Sequence, residues 1–599
     1  MMKRLLFAVV LALCPATLSA QYWTDYVLEK GFDQRDYFLR PHRIVSLHLK
    51  NIDPGLLGVM PDPLSEMSFQ PATLASLPGS RLYLDLKGKA NEPKEFKYAV
   101  YPLYDYANNY FLPPYYAQPV ERKLEPLLSA VYYGDVAAKY LPGLKFALSY
   151  ELIHHEGKFY EPVPYWYYRG YDAFGAKNEA SADFPDIDPT VRQDGLDEKS
   201  ETAHFYDAIL SYKLTKFLSG GVKLSHVQTD IGGDYLRLNN YNDPFNRDYE
   251  SRYLNGKNKT ASIRQNEISA GVVLALSDRR QIGVFAGKID GDHTQSAADQ
   301  DSSYYRYGIE TDEDYFGRWR YSHLNQSHWL HDGQTRYAGV HGELPMQSDI
   351  AFRFRFELEK SDIDLSNSDM VADTSYSQYR YRYYENDSLY NSIDGSRFDE
   401  VRIGSGEENV TRKTVAAGVV VPFQKRSEIT VGIFAQTSKS EVLMYEDAQV
   451  RRASHQLTPT PWRPVESQIG VEDKTLRLDK STSITRLALP IALNFHLGHG
   501  WSVSFGAIKQ YDKIEADEIV DVWFRTDSTT VINSNGTIID RAKERVDRYI
   551  SVPVKRSETS TAYHLGVSFQ PVQRVRIDVG MGAKPTELKQ WQLAVALVL

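Results

Sequence analysis

Residues 349–360 read DIAFRFRFELEK, and the alternation in this stretch decides the fold class. Ile350, Phe352, Phe354, Phe356 and Leu358 are large and apolar, whereas the positions between them are Ala351, Arg353, Arg355, Glu357 and Glu359. Side chains on a strand point alternately to its two faces. The segment therefore offers a continuous greasy stripe on one side and charges of both signs on the other. A soluble sandwich would turn the stripe to a protein core, whereas a membrane barrel would turn it to lipid.

Working outward, the same two-residue period recurs. Leu144, Phe146, Leu148, Tyr150 and Leu152 alternate with Lys145, Ala147, Ser149 and Glu151; Val575, Ile577, Val579 and Met581 alternate with Arg576, Asp578 and Gly580. Strands are expected at 81–87, 127–138, 144–152, 203–214, 220–229, 264–276, 281–290, 335–345, 349–360, 411–423, 428–439, 484–496, 501–512, 559–570, 573–582 and 588–599. Most exceed the usual globular strand and suit a tilted bilayer crossing. Their connections alternate between tight links, such as LGHG at 497–500 and QPVQ at 570–573, and links of roughly thirty to fifty residues, the pattern of short turns and long outer loops that outer-membrane barrels show. The apolar final strand WQLAVALVL resembles the terminal recognition signal of such barrels. Parity favours sixteen strands, with fourteen as the alternative. The expected fold is all-β, an antiparallel up-and-down transmembrane barrel over 80–599 with an N-terminal hatch over 21–79.

Lys3 and Arg4, the apolar run Leu5–Leu13 and the small pair Ser19-Ala20 read as a secretory signal peptide over 1–20. A lipoprotein reading of Cys14 conflicts with the bulk of Leu13. Cys14 is the single cysteine, so the exported chain holds itself together by burial or a closed hydrogen-bond network rather than disulfides. No run of eighteen apolar residues follows the leader, and a low mean hydropathy suits strands that are only half apolar. The net charge of −9 argues against a nucleic-acid partner, and the 42 tyrosines fit a membrane interface.

The segment before the first strand is dense in Pro, Gly and small residues. Asp62-Pro63, then Gln70-Pro71-Ala72 and Leu74-Ala75, resembles the hatch of the long-chain fatty-acid transporter (FadL) type of outer-membrane barrel, where an Asn-Pro-Ala motif precedes the first strand. The match covers fewer than twenty residues; Gln70 replaces the motif's Asn, and sixteen strands would exceed the fourteen of that family. The resemblance implies an occluding hatch and uptake of hydrophobic molecules, and FadL-like barrels that scaffold protein secretion systems are a related comparison.

Candidate lumen-lining residues are Glu151, Asp207, Lys223, His341, Glu343, Arg353, Arg355, Glu357, Glu359, Arg412, Arg486, Arg574, Arg576 and Asp578, together with Lys145 and Lys213. Such charges would select solutes, or bind wall and hatch together as an internal ion-pair network. Catalysis would need a nucleophile and base that meet, and His154, His155, His204 and Ser211 have no such spacing. His323, His328, His331 and Asp332 fall in an expected outer loop without a ligand pattern, and the acidic runs 183–188 and 310–314 lack a calcium-loop spacing. No cofactor, metal or catalytic residue is assigned. The expected setting is the outer membrane of a Gram-negative bacterium, with lipid, a small hydrophobic or amphipathic solute and proteins at the outer loops as partners. The alternatives are a non-transporting anchor or secretion scaffold and a soluble secreted β-protein.

Overall fold

The computed structural model describes residues 37–44, 59–87, 127–135, 141–157, 192–242, 249–277, 280–308, 315–346, 350–383, 388–424, 427–457, 466–533, 538–542, 545–550, 554–582 and 591–599. The expected signal peptide and the acidic runs at 183–188 and 310–314 lie outside these residues. The first strands are β1 (Arg81–Lys87), β2 (Leu128–Asp135), β3 (Leu144–Gly157), β4 (Arg192–Lys213), β5 (Leu218–Asn242), β6 (Glu250–Ser277), β7 (Arg280–Tyr307), β8 (Tyr315–Pro345) and β9 (Ala351–Tyr383). There follow β10 (Ser388–Gln424), β11 (Ser427–Leu457), β12 (Glu466–Gly498), β13 (Trp501–Asn533), β14 (Ile538–Ala542), β15 (Arg545–Ile550), β16 (Val554–Val572), β17 (Val575–Gly582) and β18 (Trp591–Val598).

Each strand from β1 to β13 pairs antiparallel with the next. β13 then pairs with β16 along 501–516, β16 with β17 and β17 with β18. β18 returns to β1, with Arg81 opposite Val598 and Leu86 opposite Leu593. The short β14 and β15 pair with the far half of β13, beyond the reach of β16. What closes is a sixteen-membered antiparallel ring, the count that parity favours. Around the belt, where all sixteen strands run, closure leaves no edge, which a sheet in lipid requires.

The outward face identifies the lipid belt. On β9, Phe352, Phe354, Phe356 and Leu358 point outward, and the run ends at Lys360. Its register partners continue the boundary: Lys288 opposes Arg336 and Arg336 opposes Lys360. Across Thr411 of β10 the row reaches Lys439. One step further from the short turns stand acids, and Lys288 pairs with Asp290 at 2.6 Å, Lys360 with Asp362 at 3.0 Å and Lys439 with Glu441. Below this row the outer face is mostly apolar, including Val272, Leu274, Val284, Phe356, Val431, Leu487 and Leu565, with Lys413 and Lys509 as polar exceptions. Stacked aromatic pairs, Trp501 on Phe569 and Phe423 on Phe495, sit beside the short turns, where the amphipathic ring of Trp501 suits a membrane interface. Phe356→Arg, in the middle of this belt, should cost about 2–4 kcal/mol of folding stability. Denaturant unfolding in lipid vesicles checks it, with Lys360→Arg expected to be neutral.

One expectation fails. The links of thirty to fifty residues do not remain loops; they continue the wall. β9 has 33 residues and β10 has 37, whereas a crossing needs about 9–11. Register holds between these two strands from the turn at Ala351 to Tyr383 without a break. Beyond the basic row the outward residues are mostly polar and apolar ones such as Leu476, Leu478, Val520 and Val522 turn inward, so the continuous outward stripe used to find strands is lost there although the hydrogen-bond ladder is not.

Candidate functional site

The inner face of the ring holds the hatch residues. Asp62 caps the helix α1 (Pro63–Phe69), accepting from the Ser65 amide at 2.8 Å, while Pro63 occupies the first turn, where its missing N–H costs nothing. Gln70 then separates α1 from a 3₁₀ turn over Pro71–Ser76. Ile44, Leu64, Met67 and Leu74 pack in one apolar cluster with Tyr83, Val131, Tyr133, Ala147, Ile209 and Ala594 of the wall. Val59 and Met60 pack in a second with Ala416, Phe434, Ala488, Ala492 and Ile508.

Polar contacts fasten the same segment. The imidazole of His42 lies 2.9 Å from Asp207 and 3.4 Å from Glu151, and it stacks on Phe205. Its backbone N–H donates to Glu267 at 2.9 Å, and its carbonyl accepts from Lys223 Nζ at 2.7 Å. Lys223, fully buried, pairs with Glu267 at 2.8 Å, and the Tyr337 hydroxyl donates to the same carboxylate. Ser149 and Ser225 both donate to Asp207. Thus a charge cluster that spans β3 to β8 closes around one hatch histidine.

Burial opposes a charged ring at His42, but the carboxylates of Asp207 and Glu151 outweigh it and push the pKa up to about 10. A folded value raised above the unfolded one stabilises fully below pH about 6.5 and loses that contribution as pH rises through about 10. The hatch should therefore loosen in alkali. Limited proteolysis of the hatch across pH 6 to 11 should show a rise in cutting near pH 10, and His42→Gln should abolish that step by cutting readily throughout.

A second cluster uses arginines. Arg43 of the hatch pairs with Glu357 at 2.5 Å and lies over the rings of Tyr337 and Phe285. Arg355 lies 3.6 Å from Glu357 and over Phe69. Arg353 joins Glu66 of α1 at 2.5 Å to Glu343 of β8 at 3.2 Å. Arg412 pairs with Glu359 at 2.5 Å. The inward charges of DIAFRFRFELEK are thus paired within the lumen, two of them directly with the hatch.

The third attachment is a glycine shelf. Gly221 on β5 opposes Gly271 on β6, and Gly283 lies on the adjoining β7. A Cβ at Gly221 would stand 2.5 Å from the Pro71 carbonyl carbon and 2.6 Å from Ala72 N; one at Gly271 would overlap the Gln70 amide. Gln70 Nε2 donates to the carbonyls of Val272 at 3.2 Å and Val284 at 2.9 Å, and Ser211 donates to the Ala72 carbonyl at 3.2 Å. Lys145 donates to the Leu77 carbonyl.

Of the lumen candidates, Glu151, Asp207 and Lys223 meet at His42; Glu343, Arg353, Arg355 and Glu357 meet at Arg43 and Glu66; His341 faces Phe69, with ring centres 5.1 Å apart. Glu359 and Arg412 face each other. Arg486 pairs with Asp512 at 2.9 Å and Arg576 with Asp578 at 2.8 Å, both away from the hatch contacts. Arg574 falls in the exposed turn between β16 and β17, and Lys213 is exposed at the end of β4, so neither lines the lumen. His323, His328 and His331 are not in a loop: all stand on β8, where His323 contacts Asp373, His328 contacts Ser296 and His331 is buried. His204 and Ser211 occupy opposite faces of β4. Sequence reasoning missed His42, Arg43, Glu267, Tyr337 and the shelf glycines; the only local signal was the basic PHR at 41–43.

No family model matches the chain, and no curated protein matches its sequence. Among solved structures, a FadL homologue of Pseudomonas aeruginosa is 11% identical, covers 94% of this chain and 99% of its own, and has a TM-score of 0.31. The P. putida toluene transporter TodX is 12% identical over 64% of this chain and 92% of its own, with a TM-score of 0.19. The siderophore receptor PiuA from Acinetobacter baumannii is 7% identical over 87% and 82%, with a TM-score of 0.25. The closed ring and its apolar belt carry the assignment to the outer-membrane barrel fold.

Proposed function

We propose that the protein is a hatch-gated channel of the Gram-negative outer membrane that passes small hydrophobic or amphipathic molecules, with residues 21–79 as the hatch and 80–599 as the barrel. The observation that carries this reading is the way the hatch is held. Besides its two apolar clusters, it is held by polar contacts without a covalent link: ion pairs to Asp207, Glu151, Glu357 and Arg353, hydrogen bonds from the Gln70 amide to two wall carbonyls, and a close seat on glycines. Such contacts exchange for water one at a time, so the hatch can leave and return. The lumen charges serve first as the latch, and Lys223, Arg353 and Glu357 become available to solvent when it opens.

Uptake of labelled oleate into cells that lack their own transporter tests the proposal, with glucose as the polar control. Expression should raise oleate entry several-fold and leave glucose unchanged. Unchanged oleate entry with inserted protein would remove the transport reading. A docking scaffold is favoured by one observation, the height of the β8–β13 wall, whose strands of 31 to 37 residues stand well clear of the lipid belt.

A further inference from the structure

High on the outer wall, arginine and tyrosine alternate across four strands in register. Arg252 of β6 opposes Tyr304 of β7, Tyr304 opposes Arg320 of β8, and Arg320 opposes Tyr376 of β9. The guanidinium of Arg252 lies 6.0 Å and that of Arg320 5.4 Å from the centre of the Tyr304 ring, so two cations flank one aromatic side chain. Arg318 lies 5.2 Å from the Tyr376 ring and donates to its hydroxyl at 3.2 Å. The neighbouring row is Leu254, Ser302, Ser322 and Thr374, again in register. These rows, with Glu250 at one end, line an open groove of about 700 Å³, within the size range of small-molecule sites.

These residues occupy the same strand face as the lipid-facing Val284 and Phe356 but lie far from the belt. Tyr304 is on the same strand as Lys288, which marks the belt's edge, and at roughly 3.3 Å per residue the two are about 50 Å apart along it. A lipid headgroup does not reach that height. The local charge is also unlike the acidic chain as a whole. Glu250 holds Arg252 at 2.5 Å and Arg306 at 3.5 Å, while Arg320 meets no carboxylate among the described residues. The Nε–H of Arg306 is buried without an acceptor.

We infer that this pocket binds an acidic oligosaccharide. The guanidinium fork of Arg320 matches a carboxylate or phosphate in two parallel bonds, the Tyr304 ring between Arg252 and Arg320 holds both cations in place, and Ser302, Ser322 and Thr374 supply hydroxyls to a polyhydroxylated ligand. The volume admits a short chain of sugars rather than a single ion. This site is independent of the lumen and of the transport reading.

The test is isothermal titration of the full mature protein in detergent with trigalacturonic acid, with maltotriose and inorganic phosphate as comparison probes. Trigalacturonate should bind, maltotriose and phosphate at least tenfold more weakly, and both Arg320→Gln and Tyr304→Ala should weaken trigalacturonate at least tenfold. Retained heat-modifiable migration shows that each variant is still a folded barrel; should either fail to fold, Ser322→Ala, expected to weaken binding about threefold, takes its place. Absence of binding, equal affinity for maltotriose, or affinity unchanged in the variants would overturn the inference.

Discussion

Lys223→Met is expected to lower the folding stability of the barrel by about 3–5 kcal/mol, the cost of leaving a buried charge without its partner. The ammonium is fully buried, and it holds both Glu267 of β6 and the carbonyl of His42. Without it, Glu267 keeps hydrogen bonds from the Tyr337 hydroxyl and the His42 amide but loses its contacting cation among the described residues. The double variant Lys223→Met/Glu267→Gln should recover most of the loss, because removing both charges removes the penalty. Denaturant unfolding of all three proteins in vesicles measures this. A single variant as stable as the parent would show that the cluster does not hold the hatch.

Gly221→Val should displace the hatch while leaving the barrel closed. The obstacle to a side chain at Gly221 is backbone, the Pro71 carbonyl carbon at 2.5 Å and Ala72 N at 2.6 Å, and backbone cannot rotate away as a long side chain can. Forcing the contact costs about 1–3 kcal/mol. Gly232→Ala on the same strand is the control, since its Cβ would meet nothing closer than Ser200 Oγ at 3.7 Å. Limited proteolysis should cut the Gly221→Val hatch at least tenfold faster than the parent's, with Gly232→Ala unchanged. Equal cutting would mean that Pro71-Ala72 does not sit on the shelf.

The ring was legible because lipid imposes a severe rule: each crossing must be apolar on one face, and DIAFRFRFELEK obeys it residue by residue. The same rule made the sixteen strands countable, since β1 and β18, though short, keep the alternation. It fails above the basic row at Lys288, Arg336 and Lys360. There the outer face is mostly polar while apolar side chains such as Leu476, Leu478, Val520 and Val522 turn inward, so the outward stripe is lost and main-chain pairing, to which the side-chain pattern is blind, keeps Asp399 opposite Ala372. The lumen charges were legible as a face, but their partners were not. Arg43 and Glu357 are 314 residues apart, and nothing local to either encodes the other. Nothing local to Gly221 marks it as a seat; its need for no side chain comes from the Pro71-Ala72 backbone packed against it. Gln70 shows the reverse case: as a departure from the motif it looked like a loss, yet its longer side chain reaches two wall carbonyls.

Single-channel conductance in planar bilayers tests the central claim, that a detachable hatch closes the lumen. The mature protein should be silent or nearly so, and the variant His42→Ala/Arg43→Ala/Arg353→Ala, which removes three latches between hatch and wall, should show discrete open steps. Steady conductance in the parent, or silence in a folded, inserted variant whose hatch is cut freely by protease, would contradict it.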